Sequence, residues 1–141
     1  MFKIKEMKKY ADQKMCDGCN CCEAVLWSFL NTMDEKNDNV ELYKLATIFG
    51  GGIASTREEI CGALTGAMMV LSIRGGRTDC EISNDALMAQ GQKLRTAFIE
   101  KIGPTKCIAL RDKLEKEYGT VDCKKVVQDC IELLELIEPE T

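Results

Sequence analysis

Ile60-Cys61-Gly62-Ala63-Leu64-Thr65-Gly66-Ala67-Met68-Met69-Val70-Leu71-Ser72-Ile73 is the longest uncharged run in the chain, 14 residues between Glu59 and Arg74. A membrane span needs about 20 apolar residues, so this run reads as a buried helix. Gly62, Ala63, Gly66 and Ala67 leave one of its faces nearly bare, which suits close approach of a second helix. Thr56 and Glu59 have the spacing of a capping box that would start this helix, and Gly75 and Gly76 stop it after Arg74. Arg74 and Arg77 near that end suit the helix dipole.

Working outward, the same period of three and four residues recurs on both sides. Lys5 to Lys14 predicts a short polar helix or ordered arm. After Asn20, the residues Ala24, Val25, Leu26, Phe29, Leu30 and Met33 form a helical stripe. Val40 to Ile48 predicts a third segment with Leu42, Leu45, Ala46 and Phe49 on one face, stopped by Gly50, Gly51 and Gly52. Toward the C-terminus, Ser83 or Asn84 opens a segment carrying Ala86, Leu87, Leu94, Phe98 and Ile102. Gly103 closes it, and Pro104 is placed as the first-turn proline of the next segment, which ends near Gly119. Thr120 or Asp122 can cap a last helix with Val126, Val127, Ile131, Leu134 and Ile137 on its stripe. Met68, Met69 and Met88 read as core filler, and Glu132, Glu135 and Glu138 as a solvated face. The second proline, Pro139, also sits outside any helical pattern. No segment alternates as a half-buried strand does. The expectation is an all-α, single-domain bundle over residues 1–141, with about five main helices plus a short N-terminal arm.

Two totals bound the chemistry: nine cysteines and no histidine in 141 residues. Without histidine there is no Ser-His or Cys-His catalytic pair, no His-ligated haem and no mixed Cys/His zinc site. Nothing resembling an export signal follows the lysines of Met1 to Tyr10, which predicts the cytoplasm and thiols used for metal or redox work rather than structural disulfides. The net charge of −4 gives no electrostatic reason to expect nucleic acid or an anionic membrane as partner. Gly50 to Gly52 are no phosphate loop, since neither G-x-x-x-x-G-K-[ST] nor a preceding strand accompanies them.

Placed on the helix map, Cys21 follows Asn20, Cys61 lies just over a turn into its helix, Cys107 follows Pro104 by three, and Cys123 falls in the first turn after Thr120. All four therefore sit near predicted helix N-termini, where unpaired N–H groups and the dipole favour a thiolate. A single buried cysteine is ordinarily a small hydrophobe; four at equivalent positions point to function. Cys16-Asp17-Gly18-Cys19 adds a C-x-x-C spacing, used by redox dithiols and by metal ligands. Against it stands an adventitious cluster.

Asn20-Cys21-Cys22-Glu23-Ala24-Val25-Leu26, Phe49-Gly50-Gly51-Gly52-Ile53-Ala54 and Cys61-Gly62-Ala63-Leu64-Thr65-Gly66-Ala67 together resemble the CGAxxG family of redox-active proteins, also written C_GCAxxG_C_C. The similarity runs on through Phe98 to Gly103, Cys107 and Leu110 to the helix beginning near Cys123. The resemblance implies four core cysteines, matching Cys21, Cys61, Cys107 and Cys123. Cys22 could stand in for Cys21, while Cys130, on the same helix face as Cys123, reads as packing. The leading expectation is an electron-transfer protein with an iron–sulfur cluster, of the [2Fe–2S] type, on these four thiolates, served by a redox partner protein. One alternative is a metal-free thiol–disulfide oxidoreductase or sensor using Cys16 with Cys19, or Cys21 with Cys61. The other is a structural or sensory zinc module of four cysteines. Haem is excluded because no C-x-x-C-H motif is present. A homodimer is compatible with the number of apolar helix faces.

Overall fold

The computed structural model describes residues 2–34 and 38–137. It is all-α. The helices are α1 (Ile4–Cys16), α2 (Cys21–Thr32), α3 (Val40–Lys44), α4 (Gly62–Gly75), α5 (Asp85–Lys101), α6 (Cys107–Tyr118) and α7 (Cys123–Leu133), with 3₁₀ turns at Thr47–Phe49 and Leu134–Ile137. Among the described residues the only β-type pairing is one antiparallel bridge between Ile60 and Lys106. Glu138 and Pro139 lie outside the described residues. No described helix is long and apolar enough to cross a membrane.

The uncharged run forms α4, which runs through the middle of the bundle with Ala63, Ala67 and Val70 fully buried. Its bare face packs on α2. A methyl group on Gly66 would stand 2.9 Å from the Cys22 carbonyl oxygen and 3.0 Å from Val25 Cβ, so the two backbones meet without room for any side chain. Helices α1 and α7 close the other side of α2, and α5 packs on α4.

The N-terminal segment is more than an arm. It is a 13-residue helix whose Met7 and Ala11, one turn apart, are fully buried. Half-buried Ile4 and Met15 extend these two into a stripe at spacings of three and four, which seats the helix against α2 and α7. Lys8 reinforces the seat by pairing with Glu132, which is therefore more than a solvated carboxylate.

Three expected boundaries move. The third segment is helical only to Lys44, and its continuation through the 3₁₀ turn leaves Leu45 and Ile48 exposed while Ala46 is buried. Thr56 and Glu59 do not cap α4: the Thr56 hydroxyl donates to the Gly52 carbonyl at 2.8 Å, as does the Glu59 N–H at 3.2 Å. The helix starts at Gly62, which makes Cys61 its N-cap residue rather than a residue of its second turn. Pro104 likewise stands before α6. The Cys61 N–H donates to the Thr105 carbonyl at 2.7 Å and the Cys107 N–H to the Glu59 carbonyl at 2.8 Å, and this pairing holds Lys106 extended until Cys107 opens the helix. Met88, expected in the core, is half exposed.

Candidate functional site

Cys21 is the first residue of α2, and its position is fixed by a complete capping box. The Asn20 side chain accepts from the Glu23 N–H at 2.9 Å, and the Glu23 carboxylate accepts from the Asn20 N–H at 3.0 Å. The Asn20 amide also donates to the Thr47 carbonyl at 3.0 Å, tying the helix start to the turn before Gly50. Asn20→Ala is expected to lower stability by about 1–2 kcal/mol, readable as a shifted urea midpoint with unchanged slope. Cys107 is the first residue of α6. Cys123 is the first residue of α7, where the Asp122 carboxylate accepts from the Lys124 and Lys125 N–H groups.

These three helix starts and the N-cap of α4 meet. Cys21, Cys61, Cys107 and Cys123 all line one cavity of about 150 Å³, together with Ser55, Arg57 and Arg111. Four N-terminal helix ends thus face a common space, and their partial positive charges add there. Among the described residues, no group of three or more Cys, Asp or Glu side chains is drawn together around a single ion position.

The electrostatics of the four differ. A hydrogen bond with Cys123, followed by burial, raises Cys21, while the same bond lowers Cys123 to about 6 against burial, with help from Arg111. The Arg111 guanidinium lies 3.7 Å from Cys123 Sγ. Burial pushes Cys61 up to about 11, partly offset by the backbone amides of Ala63 and Leu64. Burial also raises Cys107, opposed by Arg111 and Arg57. The pocket therefore favours one thiolate, at Cys123, and keeps protons on its neighbours.

The wall opposite the helices is a left-handed turn. Gly51, Gly52, Ile53, Ala54, Ser55 and Arg57 all have positive φ, between 52° and 67°. Four of these are not glycine, at a cost of about 1–2 kcal/mol each. The turn is held by N–H bonds from Ala54 to the Ile48 carbonyl, Ser55 to Gly50 and Arg57 to Gly51. A methyl on Gly52 would come within 2.6 Å of Cys107 Cβ, so the turn lies directly against the α6 cysteine. Strain of this kind persists where surrounding structure over-determines it, often at functional sites.

Ser55, Arg57 and Arg111 carry no motif. Arg111 was nevertheless within reach of the sequence, because it lies four residues after Cys107 and so shares its helix face. Ser55 and Arg57 enter only through the left-handed turn, whose one local signal is the glycine run.

The other cysteines lie elsewhere. Cys16 ends α1, exposed, and accepts from the Lys124 ammonium at 2.9 Å; Cys19 follows in the connection to α2; Cys80 is exposed. Cys22 is buried between Met69 Sδ, at 3.9 Å, and the Thr65 hydroxyl, at 3.7 Å, and burial pushes it up to about 11. The Cys130 thiol is fully buried, donates to the Ala63 carbonyl at 3.3 Å, and is raised by burial. Because the thiolate is the reactive form, thiols raised this far stay protonated and inert until strongly alkaline pH. In metal-free native protein near neutral pH, iodoacetamide is expected to label five of the nine cysteines, sparing the buried Cys22, Cys61 and Cys130 and also Cys21, which its bond to Cys123 and its burial keep protonated. Peptide mass mapping checks this; native labelling of Cys130 would show that the core opens.

No curated protein and no solved structure matches the chain. A family described as "Putative redox-active protein (C_GCAxxG_C_C)" matches residues 19–137, a span that holds all four cavity-lining cysteines. By that match, which covers most of its length, the chain belongs to the C_GCAxxG_C_C family of redox-active proteins.

Proposed function

We propose that this protein is an electron carrier in which Cys21, Cys61, Cys107 and Cys123 hold an iron–sulfur cluster. The observation that carries the reading is the meeting of four thiols, from four separate helix starts, around one space of about 150 Å³. Four thiolates satisfy the ligand count of [2Fe–2S] and [4Fe–4S] clusters alike. A Cys₄ zinc site would use the same four thiolates, each about 2.3 Å from one ion, and metal content separates it from a cluster. The donor set fits a cluster in charge as well: helix N-termini, Arg57 and Arg111 surround an anionic group with positive potential.

When bound, a cluster supplies one-electron transfer. The chain's own residues do the rest. The helix starts hold the four sulfurs, the capping box at Asn20 and the Asp122 cap fix two of those starts, and Leu110, Leu114 and Val126 line the cavity with apolar surface that limits water. Loading requires loss of the thiol protons, so metal uptake should release protons and favour higher pH.

One observation favours a second reading. Cys21 and Cys123 lie close enough for a hydrogen bond between their thiols to raise the one and lower the other. Their oxidation to a disulfide would release two protons and two electrons to an acceptor, which would make the protein a thiol–disulfide oxidoreductase.

Anaerobic purification followed by a visible absorption spectrum and iron, sulfide and zinc assays separates these readings. A brown protein with iron and acid-labile sulfide supports the cluster, and the iron-to-protein ratio distinguishes two irons from four. A colourless, metal-free protein with a Cys21–Cys123 disulfide in peptide maps supports the second reading. Stoichiometric zinc without iron overturns both.

A further inference from the structure

Two guanidinium groups stand in the wall of the cysteine cavity, and neither has a carboxylate partner among the contacts that define that wall. Arg111 reaches it from α6, one turn beyond Cys107, with Nη1 3.7 Å from Cys123 Sγ. Arg57 reaches it from the strained turn, whose left-handed backbone delivers Ser55 and Arg57 to the cavity. Arg57 is exposed, so its charge faces solvent as well as the cavity. Arginine remains protonated at any working pH, so both positions are fixed positive charges.

We propose that Arg111, seconded by Arg57, sets the electron affinity of the centre. The inference rests on the cluster reading above and makes these arginines positioning residues rather than ligands. Four thiolates around an iron–sulfur core carry net negative charge, and one-electron reduction adds one more. The electron comes from a one-electron reductant, in the cell a redox partner protein and in the test dithionite. No bond between heavy atoms is made or broken. A fixed cation beside the sulfurs stabilises the reduced form more than the oxidised form, because the reduced form has the larger charge. An N–H pointed at a ligand sulfur acts in the same direction. Arg111 combines both effects at Cys123, whereas Arg57 contributes charge from the more exposed side. The larger effect therefore belongs to Arg111.

The test is a dithionite titration, followed by visible absorption, of wild type, R111Q, R111K and R57Q, each with iron and sulfide contents measured. R111Q is expected to move the equilibrium about tenfold toward the oxidised form at a given potential, about 59 mV for one electron. R57Q should move it the same way by less, and R111K should retain most of the wild-type affinity because it keeps the charge. The iron content and band positions should not change, which a general loosening of the site would not allow. If R111Q does not load, R57Q and R111K decide: a shift in R57Q with R111K near wild type supports the inference, and an unshifted R57Q overturns it. Unshifted, fully loaded R111Q overturns this inference while leaving the cluster reading intact. A wild-type protein without iron overturns the cluster reading and this inference with it.

Discussion

Cys61→Ser, Cys107→Ser and Cys123→Ser are each expected to reduce bound iron and acid-labile sulfide by at least about tenfold, the lower end of what even outer-shell losses cost a metal site. Each removes one of the four sulfurs that line the cavity, and the remaining three come from separate helix starts that no single turn can rearrange. Cys22→Ala and Cys130→Ala are the controls. Both residues are buried cysteines of the same helical bundle, but their sulfurs face Met69 and the Ala63 carbonyl rather than the cavity. They should retain full iron and lose only the small packing contribution of a sulfur, about 1 kcal/mol. Iron retained in Cys123→Ser but lost in Cys130→Ala would reassign the fourth position on α7.

The second large effect concerns the helix crossing that brings Cys21 and Cys61 together. Gly66→Leu is expected to destabilise the protein by about 3 kcal/mol or more, and to unfold it outright if its total stability is at the lower end for small domains. Even the first added carbon would stand 2.9 Å from the Cys22 carbonyl and 3.0 Å from Val25 Cβ, where neither group is the free end of a flexible side chain. The α2–α4 pair would have to separate, and the cavity with it. Gly91→Ala provides the contrast. In the middle of α5 its new methyl would meet only Met68 Sδ, at 3.5 Å, so the change should gain about 0.5–1 kcal/mol from helix propensity. Urea unfolding of both variants measures the difference directly. Equal stability of Gly66→Leu and wild type would mean that the crossing is looser than the contacts require.

Much of this architecture is readable in local sequence because it depends on local chemistry. The start of α2 follows from Asn20 and Glu23, that of α7 from Asp122, the end of α6 from Gly119 in its left-handed conformation, and the burial of α4 from its lack of charge. What could not be read depends on tertiary contacts. Thr56 and Glu59 have capping-box spacing, yet the turn at residues 51–57 takes their hydrogen bonds elsewhere. Nothing in Ile53 announces a positive φ, which a β-branched side chain ordinarily avoids. The α1 helix, by contrast, carries a short apolar stripe at Ile4, Met7, Ala11 and Met15 amid charge, and its docking on α2 and α7 is what makes it part of the bundle rather than an arm. The cysteine set shows the same division. Each of its four members could be placed near a helix start from sequence alone, but their meeting depends on the bare face of α4 and on the backbone pairs that link Cys61 to Thr105 and Glu59 to Cys107. Arg57 and Ser55 belong wholly to that second category.

X-ray absorption at the iron edge of anaerobically purified protein tests most directly whether these four thiols hold an iron–sulfur core. The expected result is iron surrounded by sulfur alone with a second iron in the next shell, lost in Cys61→Ser. Iron bound through oxygen or nitrogen, or a sulfur shell with no neighbouring iron, would contradict it.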